Sequence, residues 1–170
     1  MSTKKLVQAA LLTALSVVMT RLLPTSYVVA VFGLSPLTVR FAFGLIPIYF
    51  ASIHLGWGYG ACVAALADVI GYLINPMGGA FMPVMTLVAA LGGAICGLVA
   101  MKKTSLWRVA LSVFSAGLIT AFLNTFCLQW LYSMSFEQLI LPRMISAALM
   151  SLFYTAVVYL LCRIFKKLKL

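Results

Sequence analysis

Long apolar runs, separated by short segments that contain charges, proline or glycine, follow one another along the whole chain. Each run approaches the roughly 20 residues that a membrane-spanning helix needs, and the breaks carry residues that end helices. The pattern therefore predicts an all-α protein with six transmembrane helices. The predicted helices are Leu6–Leu23, Leu37 to about Ser52, Tyr59–Ile74, Pro83–Met101, about Leu106 to Leu131, and Pro142 to about Ile164.

The connection between the first two helices differs from the others. Pro24 ends the first helix, but the segment Leu23–Ser35 is too apolar for a solvated linker. We expect a structured outer loop here, folded over the mouth of the bundle. Pro36 should then open the second helix, with Arg40 in its first turn. A second outer connection, Asn75–Gly79, combines proline with two glycines and predicts a tight turn.

Composition narrows the class of protein. Hydrophobic residues make up 65% of the 170 residues and charged residues 8%, and the mean hydropathy is +1.16. These values lie outside the range of soluble globular domains and fit a protein that crosses the lipid bilayer several times. At about 20 residues per span, the length admits roughly six spans with short loops. We expect one integral membrane domain over residues 1–170.

Positive charge is divided unequally between the two ends of the predicted bundle. Of the 12 Lys and Arg residues, nine fall on the side that holds both termini. By the positive-inside rule, both termini are predicted to be cytoplasmic. The nine are Lys4, Lys5, Lys102, Lys103, Arg108, Arg163, Lys166, Lys167 and Lys169. Because they flank helix ends and form no basic face with interleaved aromatics, nucleic acid is not an expected partner.

The cations on the opposite side are all arginine. They are Arg21, Arg40 and Arg143. The planar guanidinium group grips a carboxylate or phosphate through two hydrogen bonds, which lysine cannot do, so the three predict an anion bound from outside. The alternative is that they reach lipid phosphates or pair with the two acids. Those acids are Asp68 and Glu137, the second of which lies in a predicted loop, Ser133–Gln138.

Asp68 stands in the middle of the third predicted helix. An ionised carboxylate at this depth is costly unless it faces a partner or a cavity, so we expect it to point inward. Small residues at three- and four-residue spacing run beside it and predict close helix contact. They are Gly60, Ala64, Ala67 and Gly71. Two roles for Asp68 stay open: a scaffold contact with a neighbouring helix, or a hydrogen-bond acceptor for a polar ligand.

Motifs for catalysis and metal binding are missing from the sequence. It contains no glycine-rich nucleotide loop, no HExxH zinc motif and no GxSxG nucleophile turn. Four cysteines lie singly in different apolar runs, and the lone histidine, His54, fits an interfacial position. We therefore expect a protein that is not an enzyme, with no cofactor and no metal site.

The chain resembles a known family over nearly its whole length. The residues that carry the resemblance are ALLTA at Ala10–Ala14, RFAFGLIPI at Arg40–Ile48, LGWGYGACVAALADVIGY at Leu55–Tyr72, and NPMGGAFMPVMTLVAALGGAICGL at Asn75–Leu98. Their order is similar to that in the substrate-binding S components of energy-coupling factor (ECF) vitamin transporters. Among these it is most similar to the folate-specific type.

The resemblance implies a small receptor in a prokaryotic cell membrane that captures a vitamin from outside. It also implies delivery by docking to a coupling transmembrane protein and two ATPase subunits, which supply the ATP hydrolysis. Ala10 and Ala14 match the alanine step through which the family's first helix contacts the coupling protein. The loop Pro24–Ser35 corresponds to the family's gate over the binding site.

Folate suits the polar residues named above, because it combines a flat ring that carries adjacent N–H donors with a dianionic tail. Asp68 is predicted to accept hydrogen bonds from the ring, and the three outer arginines to hold the tail. The remaining predicted contacts are Tyr72 or Trp130 by stacking and Asn75 and Asn124 by hydrogen bonding.

Other functions stay open at this point. The same charges suit another anionic vitamin, such as pantothenate or a queuosine precursor. A stand-alone secondary carrier built from inverted repeats should show matched interrupted helices, and Asn75–Gly79 has no counterpart in the second half of the chain. A structural membrane subunit would bind no small molecule tightly.

Overall fold

The computed structural model describes residues 3–22, 26–29, 37–40, 42–74, 81–101, 105–132 and 136–167. Over these ranges the chain forms six helices and one two-stranded hairpin, which confirms the predicted all-α architecture of six helices. The elements are α1 (Thr3–Leu22), β1 (Ser26–Val29), β2 (Leu37–Arg40), α2 (Leu45–Leu55), α3 (Trp57–Ile74), α4 (Pro83–Ala100), α5 (Leu106–Tyr132) and α6 (Phe136–Lys167).

Helix length and apolarity are those of a membrane protein. Within the described ranges, four helices are long and apolar enough to cross a bilayer: α3, α4, α5 and α6. Helix α1 has 20 residues and is about 30 Å long, which matches the hydrocarbon thickness. Helix α2 has only 11 residues and reaches about 16 Å, roughly half of that thickness.

The second helix does not begin at Leu37, as the sequence predicted. Residues Leu37–Arg40 form strand β2 instead and pair antiparallel with β1, Ser26 opposite Arg40 and Val29 opposite Leu37. Valine and threonine fill four of the eight positions in the two strands and favour extended backbone. Arg40 therefore lies in a strand, and the predicted loop Leu23–Ser35 contains β1. Its other residues lie outside the described ranges.

The sixth helix also begins elsewhere than predicted. Helix α6 starts at Phe136, six positions before Pro142, so Glu137 is in a helix and not in a loop. Pro142 predicts a helix start, because proline fits best in the first turn of a helix. The apolar residues 139–141 continue the helical pattern through it. The other predicted helix ends agree with the structure within three residues.

Helix α2 lies at the centre of the bundle and is buried on all sides. The buried residues are Ile46, Pro47, Ile48, Tyr49, Phe50, Ala51, Ser52, Ile53 and Leu55. One side of α2 packs into a core cluster with α4, α5 and α6. The other side packs into a second cluster with α1 and α3. A helix that is apolar all around is expected to be surrounded by protein, as this one is.

Contacts between helix ends show which ends of the bundle coincide. The Ser16 hydroxyl near the end of α1 donates a 2.8 Å hydrogen bond to the carbonyl of Gly44, just before α2. The His54 ring in the last turn of α2 lies 6.1 Å from the Phe165 ring near the end of α6. The start of α1 and the end of α6 therefore share one end of the bundle. Following the charge prediction, we name this the inner end and its opposite the outer end.

Helices α3 and α4 approach each other closely because glycine lies at their contact. A Cβ atom at Gly93 would lie 2.5 Å from the carbonyl oxygen of Gly60 and 2.8 Å from its carbonyl carbon. The inner turn into α3 is made by Gly56, whose φ of 110° is open to glycine and strained for other residues. The small residues Ala64 and Ala67 continue the buried side of α3.

We predict that Gly93→Ala destabilises the isolated protein by about 1–3 kcal/mol, because its methyl group would overlap the backbone of α3. The matched control is Gly58→Ala, since a Cβ atom at Gly58 meets nothing within 4 Å. Thermal unfolding in detergent measures both. Equal melting temperatures for the two variants would contradict the close contact.

Candidate functional site

A cavity of about 290 Å³ lies between α2, α5 and α6 in the outer half of the bundle. This volume is close to the lower end of the range for small-molecule sites. Its lining residues come from the start of α2, from one face of α5 and from one face of α6. They are Ala42, Leu45, Tyr49, Val113, Gly117, Thr120, Ala121, Asn124, Arg143, Ser146, Ala147, Met150, Ser151 and Tyr154.

The cavity is charged and polar at its outer end and aromatic at its inner end. Arg143 and Asn124 line it nearest the outer ends of their helices, whereas Tyr49 and Tyr154 line it deeper. Arg143 and Tyr154 are eleven positions apart on α6, which corresponds to about 16 Å along the helix axis. The two tyrosine rings meet edge to face, with centroids 6.1 Å apart. An elongated ligand with one anionic end and one flat end matches this shape.

Tyr154 connects the cavity wall to the outer hairpin. Its hydroxyl accepts a 2.9 Å hydrogen bond from the backbone N–H of Ala42, two residues after β2. Strand β2 also contacts α6. Tyr154 is buried and Ala42 is half-buried, so this hydrogen bond is partly shielded from solvent. The position of the chain that leaves the hairpin is therefore tied to a side chain that lines the cavity.

Two of the predicted site residues, Asn124 and Arg143, meet in this cavity. Asp68 lies elsewhere, at the contact between α3 and α4, and is half-buried. Its Oδ2 atom accepts a 2.6 Å hydrogen bond from the Thr86 hydroxyl. The Tyr72 ring, one turn further along α3, lies 5.1 Å from the Phe81 ring. Neither Asp68 nor Tyr72 belongs to the cavity lining.

The other predicted ligand contacts are spread around the outer end. Trp130, near the end of α5, is 77% exposed and lies outside the cavity lining. Arg21 is in the last turn of α1 and Arg40 ends β2; the structure describes only the backbone of these two arginines. Asn75 lies outside the described residues.

Sequence reasoning missed five polar residues of the cavity. They are Tyr49, Thr120, Ser146, Ser151 and Tyr154. A signal for four of them was present: polar residues recur at three- to five-residue spacing with Asn124 on α5 and with Arg143 on α6. Such a stripe on two neighbouring membrane helices marks faces that turn away from lipid.

A second hollow, a groove of about 530 Å³, runs between α1 and α3 near the inner end. Its walls are almost entirely apolar. They are formed by Leu6, Ala9, Ala10, Thr13, Gly58, Tyr59, Cys62, Val63 and Leu66. Ala10 is thus part of a concave surface, and Ala14 is exposed one turn further along the same helix.

These features define an all-α membrane protein that encloses a partly polar cavity, near ligand size, at one end of its bundle. The profile of the family described as "ECF transporter, substrate-specific component" matches residues 4–168, and the chain belongs to this family. The chain is also similar to the folate transporter FolT of Clostridium novyi (strain NT), with 34% identity over 126 residues, 71% of each chain. The resemblance found in the sequence is thereby confirmed. The role of the family is substrate binding in transport, not catalysis.

We predict that Tyr154→Phe loosens the backbone that follows strand β2, at Ala42, and leaves the packing of the helix core intact. The variant removes the acceptor of the Ala42 N–H, and an unpaired buried N–H costs about 1–3 kcal/mol. Hydrogen–deuterium exchange should be faster in the peptide that contains Ala42.

The control for this prediction is Tyr159→Phe, on the same helix but outside the cavity lining. It should leave exchange at residue 42 unchanged. If the peptide that contains Ala42 exchanges at the same rate in both variants, the hydrogen bond from Ala42 to Tyr154 does not stabilise the backbone after β2.

Proposed function

We propose that this chain captures folate, or a closely related vitamin, from outside a prokaryotic cell and delivers it as the S component of an ECF importer. The observation that carries the proposal is the cavity between α2, α5 and α6, with Arg143 near its outer end and tyrosines at its inner end. Similarity to a folate transporter supports this choice of vitamin. In this proposal residues 1–170 act as one six-helix membrane domain.

Folate would enter with its flat ring first. The ring would lie near Tyr49 and Tyr154, whose aromatic faces and edges suit a planar heterocycle. The glutamate tail would lie near Arg143, whose guanidinium group can hold a carboxylate with two hydrogen bonds. The approximately 16 Å between Arg143 and Tyr154 along α6 suits a ligand of this length. Asn124, which also lines the cavity, would supply a further hydrogen bond.

The remaining predicted site residues keep proposed roles at the outer end. We assign Arg21 and Arg40 to the tail, because they come from the end of α1 and from the hairpin. The hydrogen bond from Thr86 supports the scaffold role of Asp68, in which the carboxylate ties α3 to α4. Tyr72, Asn75 and Trp130 stay candidate contacts for a ligand that extends beyond the cavity.

We predict that Arg143→Ala raises the dissociation constant for folate about 10- to 100-fold, because a charge-assisted hydrogen bond to the tail is lost. Arg143→Lys should fall between the wild type and Arg143→Ala, since lysine keeps the charge without the fork. Isothermal titration calorimetry on the purified chain is the suitable measurement, because tryptophan is absent from the cavity lining.

The control is Arg163→Ala, an exposed position near the inner end of the same helix. Asp68→Asn separates the two roles of that residue: loss of stability alone supports the scaffold, and loss of affinity supports a ligand contact. Folate affinity that is the same in the wild type and in Arg143→Ala would remove the proposed site. Titrations with pantothenate and thiamine test the choice of vitamin.

Delivery would use the groove between α1 and α3. A concave apolar surface with Ala9 and Ala10 in its lining allows a partner helix to approach closely. We propose that the coupling transmembrane protein docks here and that two ATPase subunits supply the energy. The groove near the inner end and the cavity in the outer half lie on different sides of α2.

We predict that Ala10→Trp abolishes vitamin uptake by cells that hold the complete transporter and leaves folate affinity of the isolated chain unchanged. The indole ring would fill the groove between α1 and α3. Leu11→Trp is the matched control, because Leu11 is 66% exposed on α1 but outside the groove lining. Loss of affinity in Ala10→Trp would mean that the alanine step is internal packing.

A further inference from the structure

Three hydroxyl groups line the cavity and share one hydrogen-bonding arrangement: each donates its proton to a carbonyl of its own helix. Thr120 Oγ1 donates to the carbonyls of Ala116 at 2.7 Å and Gly117 at 3.1 Å. Ser146 Oγ donates to the carbonyl of Arg143 at 3.0 Å. Ser151 Oγ donates to the carbonyl of Ala148 at 2.7 Å.

A serine or threonine hydroxyl has one proton and two acceptor lone pairs. Because helix carbonyls hold these three protons, each oxygen can take part in a further hydrogen bond only as an acceptor, through its remaining lone pairs. In most sites a hydroxyl rotates to donate or accept as the ligand requires. Here, turning a proton toward a ligand would break a bond to the helix. The three side chains therefore act as acceptors, and we name Thr120, Ser146 and Ser151 the acceptor wall.

Packing holds the wall in this arrangement. A Cβ atom placed at Gly92 on α4 would overlap the Cγ2 methyl of Thr120, so that methyl lies directly against the α4 backbone. This contact opposes rotation of the Thr120 side chain, which keeps Oγ1 on its carbonyls. Ser151 is 3% exposed, so its oxygen is shielded from bulk water. Ser146 and Ser151 are five positions apart on α6, about 7.5 Å along its axis.

We propose that the acceptor wall recognises the N–H donor edge of the ligand's flat ring and makes the site selective for rings that carry an amino group. This inference rests on the proposed function and names the residues that read the ring. A ring without donors would leave the wall oxygens desolvated without a partner. A site built around hydrogen bonds rejects a ligand that lacks them far more strongly than an apolar pocket rejects a missing methyl group.

The test pairs wall variants with two ligands in calorimetry on the full chain. The ligands are folate and 2-desamino-folate, in which hydrogen replaces the ring amino group. Wild type should bind the desamino ligand at least about tenfold more weakly, the scale of one lost hydrogen bond to a buried partner. Because the amino group has two N–H donors, one or at most two of the variants Ser151→Ala, Ser146→Ala and Thr120→Val should weaken folate binding and leave desamino binding nearly unchanged. For each such variant, the change in binding free energy should differ between the two ligands. This difference measures the contact between the side chain and the ring amino group.

The matched control is Ser115→Ala. Ser115 Oγ donates to the carbonyl of Ser112 at 3.1 Å, the same arrangement on α5, but it is outside the cavity lining. It should change neither affinity. Melting temperatures show whether each wall variant is folded. Ser146→Ala and Ser151→Ala are separate tests, so one of them still probes the wall if the other fails to fold.

The outcomes separate this inference from the proposed function. A wild type that binds folate, with wall variants that weaken both ligands equally or neither, overturns the acceptor wall alone. A wild type that binds neither ligand overturns the proposed function and the wall together. A wall variant that selectively loses folate supports both.

Discussion

The short central helix is the constraint on which the rest of this structure depends. Helix α2 is apolar on every face and buried among five longer helices, yet at 11 residues it covers only about half of a bilayer's hydrocarbon thickness. The volume above its first turn is bordered by α5 and α6, and it holds the cavity. Ala42, just before α2, and Leu45 and Tyr49 of α2 line that space on this side.

Backbone that is not helical needs hydrogen-bond partners of its own when lipid surrounds the protein. Strands β1 and β2 provide such partners through their pairing. The hairpin's exit toward α2 is stabilised by Tyr154, which offers a side-chain oxygen to the N–H of Ala42. The polar stripes of α5 and α6 meet the same requirement for hydrogen-bond partners, because most of their hydroxyl groups donate to a carbonyl of the same helix. Hydroxyl groups of this kind are compatible with an apolar surrounding and still offer lone pairs to a ligand.

The cavity and the apolar groove lie on different sides of α2. One core cluster joins α2 to α4, α5 and α6, next to the cavity. The other joins it to α1 and α3, next to the apolar groove. The close contact of α3 with α4 at Gly60 and Gly93 connects the two halves beside α2, and Asp68 and Thr86 add a hydrogen bond toward the outer end. In the proposed function, the ligand and the partner protein would therefore use different surfaces of one bundle.

The sequence by itself determined that this is a membrane protein of six helices and identified its family, because apolar length and helix-breaking residues act locally along the chain. It also selected Asn124 and Arg143, the polar residues that stand out in otherwise apolar runs. Only the tertiary structure decided that Leu37–Arg40 is a strand, since its pairing with Ser26–Val29 is a contact between distant residues. It also decided that Asp68 meets Thr86, while Tyr49, Ser151 and Tyr154 meet in the cavity. Which polar residues face one another depends on the rotation of each helix against its neighbours, and that is set by packing around α2.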